Sequence, residues 1–255
     1  MIHWANTHAA LWRARRQVLK AVPEDDLDIP PLESLLGIER QKIALIGNLR
    51  RFALGQSANH ALLWGARGCG KSSLVKAAFG VLRHEGLRLV QIDKEDLLDL
   101  PDVADELRHQ PHRFLIFCDD LSFQPGEPAF RVLKTVLDGS IEKPPANILL
   151  VATSNRRHLV PERMADNLAA TYVDGDLHLG DATEEQLALA DRFGLWLSFY
   201  PPDQDTFLAM VAARGVELDE GARLEAIRFA TARGGRSGRA ARQFGQARTV
   251  GDDLS

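Results

Sequence analysis

The residues best placed to do chemistry are a lysine and a serine that close a glycine-rich octapeptide, Gly65-Ala66-Arg67-Gly68-Cys69-Gly70-Lys71-Ser72. Every fixed position of the pattern G-x-x-x-x-G-K-[ST] is filled. Glycines let a backbone curl until successive N–H groups point inward, where phosphate oxygens can accept from them. A helix starting at the end of the loop adds the positive end of its dipole. In that geometry Lys71 reaches the β- and γ-phosphates, and the Ser72 hydroxyl takes a magnesium ion. Residues 65–72, with Ser73 behind them, are the expected nucleotide-binding set. Without nucleotide, Lys71 is expected to face solvent unpaired. Cys69 lies among the same N–H groups and beside Lys71, surroundings that lower a thiol pKa; oxidation there would block nucleotide.

Two acids come next. Asp119-Asp120 directly follows the apolar run Phe114-Leu115-Ile116-Phe117-Cys118. Ligands of parallel sheets sit beyond the carboxyl ends of the strands. Asp119 is therefore expected near the glycine loop, holding magnesium through water. Asp120 would face the γ-phosphate and orient the attacking water, with Glu127 the next acid in line. Asn155, at the end of a later strand, is either a turn residue or a second group orienting that water. Arg192 closes a helix opened by the capping box Thr183-Glu184-Glu185-Gln186. Arg239 lies near the start of the last helix. Each arginine is either a solvated helix-end charge or a phosphate contact: Arg192 as a finger reaching a neighbouring subunit, Arg239 within its own.

The elements that position these residues are legible as alternating patterns. Residues 60–64, 87–92, 114–118, 148–153 and 195–200 are short apolar runs, read as strands. Between them, residues 72–79 read as a helix facing inward through Val75, Ala78 and Phe79. Residues 96–107 read as partly helical, interrupted at Pro101, and Phe130, Leu133 and Leu137 are helix-spaced. Strands apolar throughout, alternating with helices, predict a parallel sheet covered on both faces. Residues 42–54 form a preceding helix. Residues 1–30 read as an arm, helical over 9–21, basic at Arg13, Arg15, Arg16 and Lys20, then acidic from Glu24 to Asp28. Beyond Pro201-Pro202 only helices follow, capped by Asp203 or Asp205, by Asp219 with Leu224, Ile227 and Ala230 on one face, and by Ser237. The expected organisation is an arm (1–30), an α/β nucleotide-binding domain (31–201) and a helical domain (202–255).

Composition narrows the class. The 255 residues are 45% hydrophobic and 26% charged, ordinary for a globular chain, with a net charge of -4. That charge makes no electrostatic case for nucleic acid or an anionic membrane. Two cysteines exclude a disulfide framework and suit a reducing compartment. No apolar run is long enough to span a bilayer, and no signal-peptide core opens the chain. The expected location is cytoplasmic.

Taken together, Leu36-Gly37-Ile38-Glu39-Arg40, the 65–72 loop, Asp119-Asp120, Asn155, Arg192-Phe193 and Gly238-Arg239 resemble the boxes of the AAA+ ATPases. A closer resemblance is to a bacterial AAA+-like family of DUF815 type, a domain of unknown function, in the phrases LLWGARGCGKSSLVKA, FCDDLSF, VATSNRRHLVPE, DRFGLWLSFYPPDQDTF and SGRAARQF. The resemblance implies a five-stranded parallel sheet of order 5-1-4-3-2, a small C-terminal helical lid, and ATP with Mg2+. It implies Ile38 at the nucleotide, Asn155 as sensor 1, Arg192 as the finger and Arg239 as sensor 2. It further implies a homo-oligomer that binds ATP or ADP and acts on a protein partner it does not name. Two departures qualify it. Asp120 stands where these ATPases carry Glu, one methylene longer; a misplacement of roughly 1 Å can cost on the order of a hundredfold in rate, so hydrolysis is expected to be slow. Lys94-Glu95-Asp96-Leu97-Leu98 stands where unfoldases place an aromatic-glycine pore loop, which disfavours polypeptide threading. An ATP-gated scaffold with little turnover and a small-molecule kinase remain alternatives. DNA remodelling stays open too, though no helix outside the lid carries a basic face.

Overall fold

A strand that is apolar along its whole length must be covered on both faces. Four strands here are buried almost throughout: β3 (Ala61–Gly65), β4 (Leu87–Ile92), β5 (Arg113–Cys118) and β6 (Ile148–Ser154). With β9 (Leu195–Phe199) they run parallel as neighbours in the order β4-β5-β6-β3-β9. The computed structural model describes residues 2–121, 128–139, 141–155, 171–173, 176–178 and 192–250. Glu127 and the capping box at Thr183 fall outside the described residues.

The sheet is larger than expected and is not purely parallel. Residues 9–21, expected as a helix, instead form a hairpin of β1 (Ala9–Arg13) and β2 (Val18–Val22). Strand β1 then pairs parallel with β4. The result is a seven-stranded mixed sheet, β2-β1-β4-β5-β6-β3-β9, rather than a five-stranded parallel one. The reason is tertiary: β4 would otherwise present a bare edge, and a segment with weak local preference takes the conformation its partner offers. Ala10, Trp12 and Leu19 bury against the sheet while Arg13, Arg15 and Arg16 stay exposed around the turn at Gln17 (φ 50). The Trp12 indole N–H donates to Asp99 at 2.9 Å. Strands β7 (Thr171–Val173) and β8 (Asp176–His178) make a separate antiparallel pair.

Helices cover both faces. On one, α1 (Glu39–Ala53) and α2 (Lys71–Leu82) pack Leu45, Leu49, Phe52, Leu74 and Phe79 onto Leu63, Leu115 and Val151. On the other, α3 (Leu100–Arg108) and α4 (Pro128–Asp138) pack Leu107 and Leu133 against Trp12, Ile92 and Phe114. Pro101 does not interrupt α3. It occupies the first turn, where its missing N–H has no partner to lose.

The C-terminal helices α5 (Gln204–Ala212), α6 (Glu220–Ala232) and α7 (Gly238–Val250) share a third core around Phe207, Val211 and Phe244. Asp203, not Asp205, caps α5, accepting from the Thr206 N–H at 2.8 Å. Asp219 caps α6 and Ser237 caps α7. The inward face of α6 is Ala222, Ala226 and Ala230 rather than the expected one through Leu224, which is exposed. Among the described residues, no helix is long and apolar enough to cross a membrane.

Candidate nucleotide-binding site

The glycine loop leaves β3 through a gap only glycine fits. Gly65 has φ 132, and a Cβ there would lie 2.0 Å from the Phe199 carbonyl oxygen on β9. That same oxygen accepts from the Ala66 N–H at 3.0 Å. Gly68 and Gly70 are also left-handed, with φ 74 and 93. Gly70 is the N-cap of α2, so no side chain occupies the helix's first N–H groups.

Beside the loop lies a cleft of about 600 Å³, within the range of small-molecule sites. Residues 67–73, Asp119, Asp120, Thr153 and Asn155 line its sheet side. Leu35, Leu36 and Ile38 line it from the segment leading into α1, and Met210, Arg214, Arg239 and Arg242 from the C-terminal helices and the end of α5. Ile38 sits at the N-cap of α1, its Cδ1 3.5 Å from where a Cβ on Gly70 would be. Gly65 and Ala66 do not line the cleft; their carbonyls instead hold Lys71.

That last contact corrects the expectation of a solvent-facing lysine. Lys71 is 6% exposed. Its ammonium donates to the Gly65 carbonyl at 2.9 Å, the Ala66 carbonyl at 2.8 Å and Asn155 Oδ1 at 2.9 Å. Burial lowers its pKa, against the opposing pull of Cys69, Asp119 and Asp120. Cys69 is corrected too. Burial raises its pKa, outweighing the nearby Lys71 charge, the opposite direction to the expected lowering.

The two acids stand where the strand ends. Ser72 donates its hydroxyl hydrogen to Asp119 Oδ1 at 2.6 Å. Asp120 has a left-handed backbone (φ 56), and its Oδ1 accepts from the Asn155 amide at 2.5 Å. Asn155 therefore bridges Lys71 and Asp120, accepting with one end and donating with the other. A hydroxyl and a carboxylate side by side are hard oxygen donors, which fits magnesium; Ser72 and Asp119 are the residues that would hold it.

Thr153, Arg242 and Arg214 line the cleft but were not read from the sequence as part of the site. Thr153 donates to Asp119 Oδ1 and accepts from the Asp120 N–H; the clue was a hydroxyl near the carboxyl end of an apolar strand, two residues before Asn155. Arg242 was signalled by its spacing, three residues after Arg239 on the same helix face. Arg214, just past α5, gave no comparable signal. Arg239 does reach the loop: a Cβ on Gly68 would lie 3.2 Å from Arg239 Cβ. Arg192 is not brought to this cleft. Its Nε donates to Asp138 Oδ2 at 2.6 Å, at the end of α4.

Comparison with known proteins agrees with this architecture. A family model described as "Protein of unknown function (DUF815)" matches residues 5–251. No curated protein resembles the sequence closely enough to match. Among solved structures, the Thermotoga maritima RuvB Holliday junction branch migration motor is similar at a TM-score of 0.55 and 15% identity, over 89% of this chain and 68% of that one. Aeropyrum pernix Orc1, solved in complex with DNA, gives 0.59 and 14%, over 91% and 64%. Domain III of the Thermotoga maritima replication initiation protein DnaA gives 0.55 and 18%, over 88% and 91%. The fold is of the AAA+ P-loop ATPase type.

Proposed function

This chain belongs to the DUF815 family, and we propose that it is a magnesium-dependent ATPase whose nucleotide state changes the disposition of its C-terminal helices and its assembly. The observation that carries the reading is the polar network at the head of α2, in which Lys71, Asn155 and Asp120 form one chain of hydrogen bonds and Ser72 and Asp119 are joined beside it. The α2 N–H groups and Lys71 bind the phosphates, Lys71 exchanging its carbonyl partners for phosphate oxygens. Ser72 and Asp119 would hold magnesium, which would supply neutralisation of the phosphate charge. Asp120 accepts a proton from the attacking water as the bond to the γ-phosphorus forms and the bond to the β-phosphate oxygen breaks. Asn155 keeps Asp120 and that water aligned. Ile38 borders the base and Arg239 closes on the phosphates from α7, which makes residues 202–255 a lid.

Arg192 is read as a finger offered to a neighbouring subunit in a homo-oligomer. Its absence from the lining of its own cleft supports this. The partner is a protein; DNA is the competing candidate, since two of the similar structures are a Holliday junction motor and a DNA complex. A reducing, cytoplasmic setting fits the two buried free thiols. One observation favours a slower, scaffold-like variant of this reading: Asp120 is a short acid already engaged by Asn155.

Steady-state hydrolysis measured against protein concentration tests the assignment. Activity per subunit should rise on concentration. Arg192→Ala should bind ATP within a few-fold of wild type and hydrolyse it about 10³-fold more slowly, the lower end of the range for fingers supplied in trans. Mixing it with Lys71→Ala should restore part of the turnover. Hydrolysis that is flat with concentration and unrescued on mixing would leave a monomeric enzyme; no hydrolysis at any concentration would leave the ATP-gated scaffold.

A further inference from the structure

Thr153 has a role in the site that its position in an apolar strand conceals. It is 1% exposed, near the carboxyl end of β6, between apolar Ala152 and Ser154. Its hydroxyl, as donor and as acceptor, and its carbonyl all go to the turn that carries the two acids. Its hydroxyl hydrogen goes to Asp119 Oδ1. The same oxygen accepts from the Asp120 N–H at 2.9 Å. Its carbonyl accepts from the Leu121 N–H at 2.6 Å. A carboxylate can only accept, so the hydrogen in the first bond comes from Thr153, and the lone pairs left on that oxygen suit the N–H of Asp120.

The turn being held is one the chain would not adopt unaided. Asp120 has φ 56, a region that costs a non-glycine residue of order 1 kcal/mol or more unless its surroundings hold it there. Thr153 supplies that hold from the neighbouring strand. It fixes the carboxylate of Asp119 and the backbone of Asp120 to one oxygen atom, and so sets the spacing between them. Asp119 Oδ1 thereby receives two hydroxyls, from Ser72 on α2 and from Thr153 on β6. It is clamped between the helix that starts the phosphate loop and the strand that ends in Asn155.

We infer that Thr153 is the positioning residue of the magnesium site: it orients Asp119 toward the metal held with Ser72 and fixes the reach of Asp120. The inference rests on the proposed assignment of Asp119 to metal and Asp120 to water. Partners that orient a metal ligand typically affect metal affinity or activity by about 10–100-fold when removed.

The test is a magnesium titration of nucleotide binding, followed by the fluorescence of a labelled ATP analogue, alongside thermal melting of the unliganded protein. Thr153→Val keeps the side-chain shape and removes both hydroxyl bonds. It should raise the half-saturating magnesium concentration for nucleotide binding about tenfold. Thr153→Ser, which keeps the hydroxyl, should return it to within about threefold of wild type. Should valine fail to fold, Thr153→Ala carries the same comparison. Asp119→Asn in the same titration separates the two levels of the argument. If Asp119→Asn shifts the magnesium dependence and the hydroxyl-free variant does not, the inference about Thr153 is wrong and the metal assignment stands. If neither shifts, the metal assignment itself fails.

Discussion

The two long sides of the cleft differ in how their polar groups are occupied. On the sheet side, Lys71 has three acceptors, Asp119 two hydroxyls, and Asn155 uses both ends of its amide. On the helical side, Arg214, Arg239 and Arg242 are exposed, and their guanidinium groups make no hydrogen bond or ion pair with any described residue. Several other arginines of the same unit are engaged: Arg233 with Gln243, Arg236 with the Pro202 carbonyl, Arg248 with Glu225. The sheet side is preorganised, and a phosphate arriving there must displace bonds already made. Its value lies in dipoles that need no rearrangement during the reaction. The helical side gains nothing until an anion comes, so its contribution depends on ligand and is screened by salt. Changes on the first side should therefore reach rate or fold as well as affinity, those on the second affinity alone.

The largest effect expected on the sheet side is kinetic. Asp120→Asn removes the proposed proton acceptor while an amide can still meet Asn155, so single-turnover hydrolysis should fall about 10²–10⁴-fold with ATP affinity little changed by calorimetry. A wild-type rate would move the general base to another acid. Next comes Lys71→Ala. It leaves the Gly65 and Ala66 carbonyls and Asn155 Oδ1 without their shared donor. The unliganded protein should lose about 1–3 kcal/mol, the cost of stranding buried acceptors. ATP affinity should drop roughly a hundredfold, the upper end for hydrogen bonds to a charged group. An unliganded melting temperature equal to wild type would mean that the carbonyls rehydrate and that the sheet side is less closed than its bonding suggests.

Much of this side was legible in the sequence. The phosphate loop is a local backbone motif, and its glycines specify the turn by conformation alone; four of the five apolar runs mark buried strands because a two-sided environment leaves no polar position, and the fifth marks the half-buried edge strand β9. What escaped reading was whatever depends on a partner distant in sequence. The hairpin over residues 9–22 owes its conformation to the edge of β4, not to its own pattern. Lys71 looked solvent-facing because the acceptors around it include Asn155, 84 residues away. Cys69 looked activated because a neighbouring charge is visible in sequence and burial is not. Thr153 was overlooked since a threonine in a strand is ordinarily a β-former. The helical side was harder still: Arg239 and Arg242 share a face by spacing, but only the packing of Gly238 and Ser237 against Gly68 brings that face to the loop.

The sharpest probe of the helical side is Arg239→Ala, whose effect is the smallest of the series and the most diagnostic. Arg239 is exposed, lacks a partner among the described residues, and lies close enough to Lys71 for the two like charges to oppose one another. Removing it strands no acceptor. Stability of the unliganded protein should change by no more than about 0.5 kcal/mol, as for surface substitutions generally. ATP affinity should fall about tenfold, the lower end for a charge-assisted hydrogen bond, and the loss should shrink as salt is raised because the contact is screened. Arg214→Ala and Arg242→Ala should lower affinity by smaller factors in the same direction, again without loss of fold. Calorimetry across a salt series, paired with melting in the absence of nucleotide, reads both quantities. If Arg239→Ala destabilises the unliganded protein as Lys71→Ala does, the two sides are not built differently. If it binds ATP with wild-type affinity at every salt concentration, α7 is a surface helix that happens to border the cleft, and the lid reading of residues 202–255 goes with it.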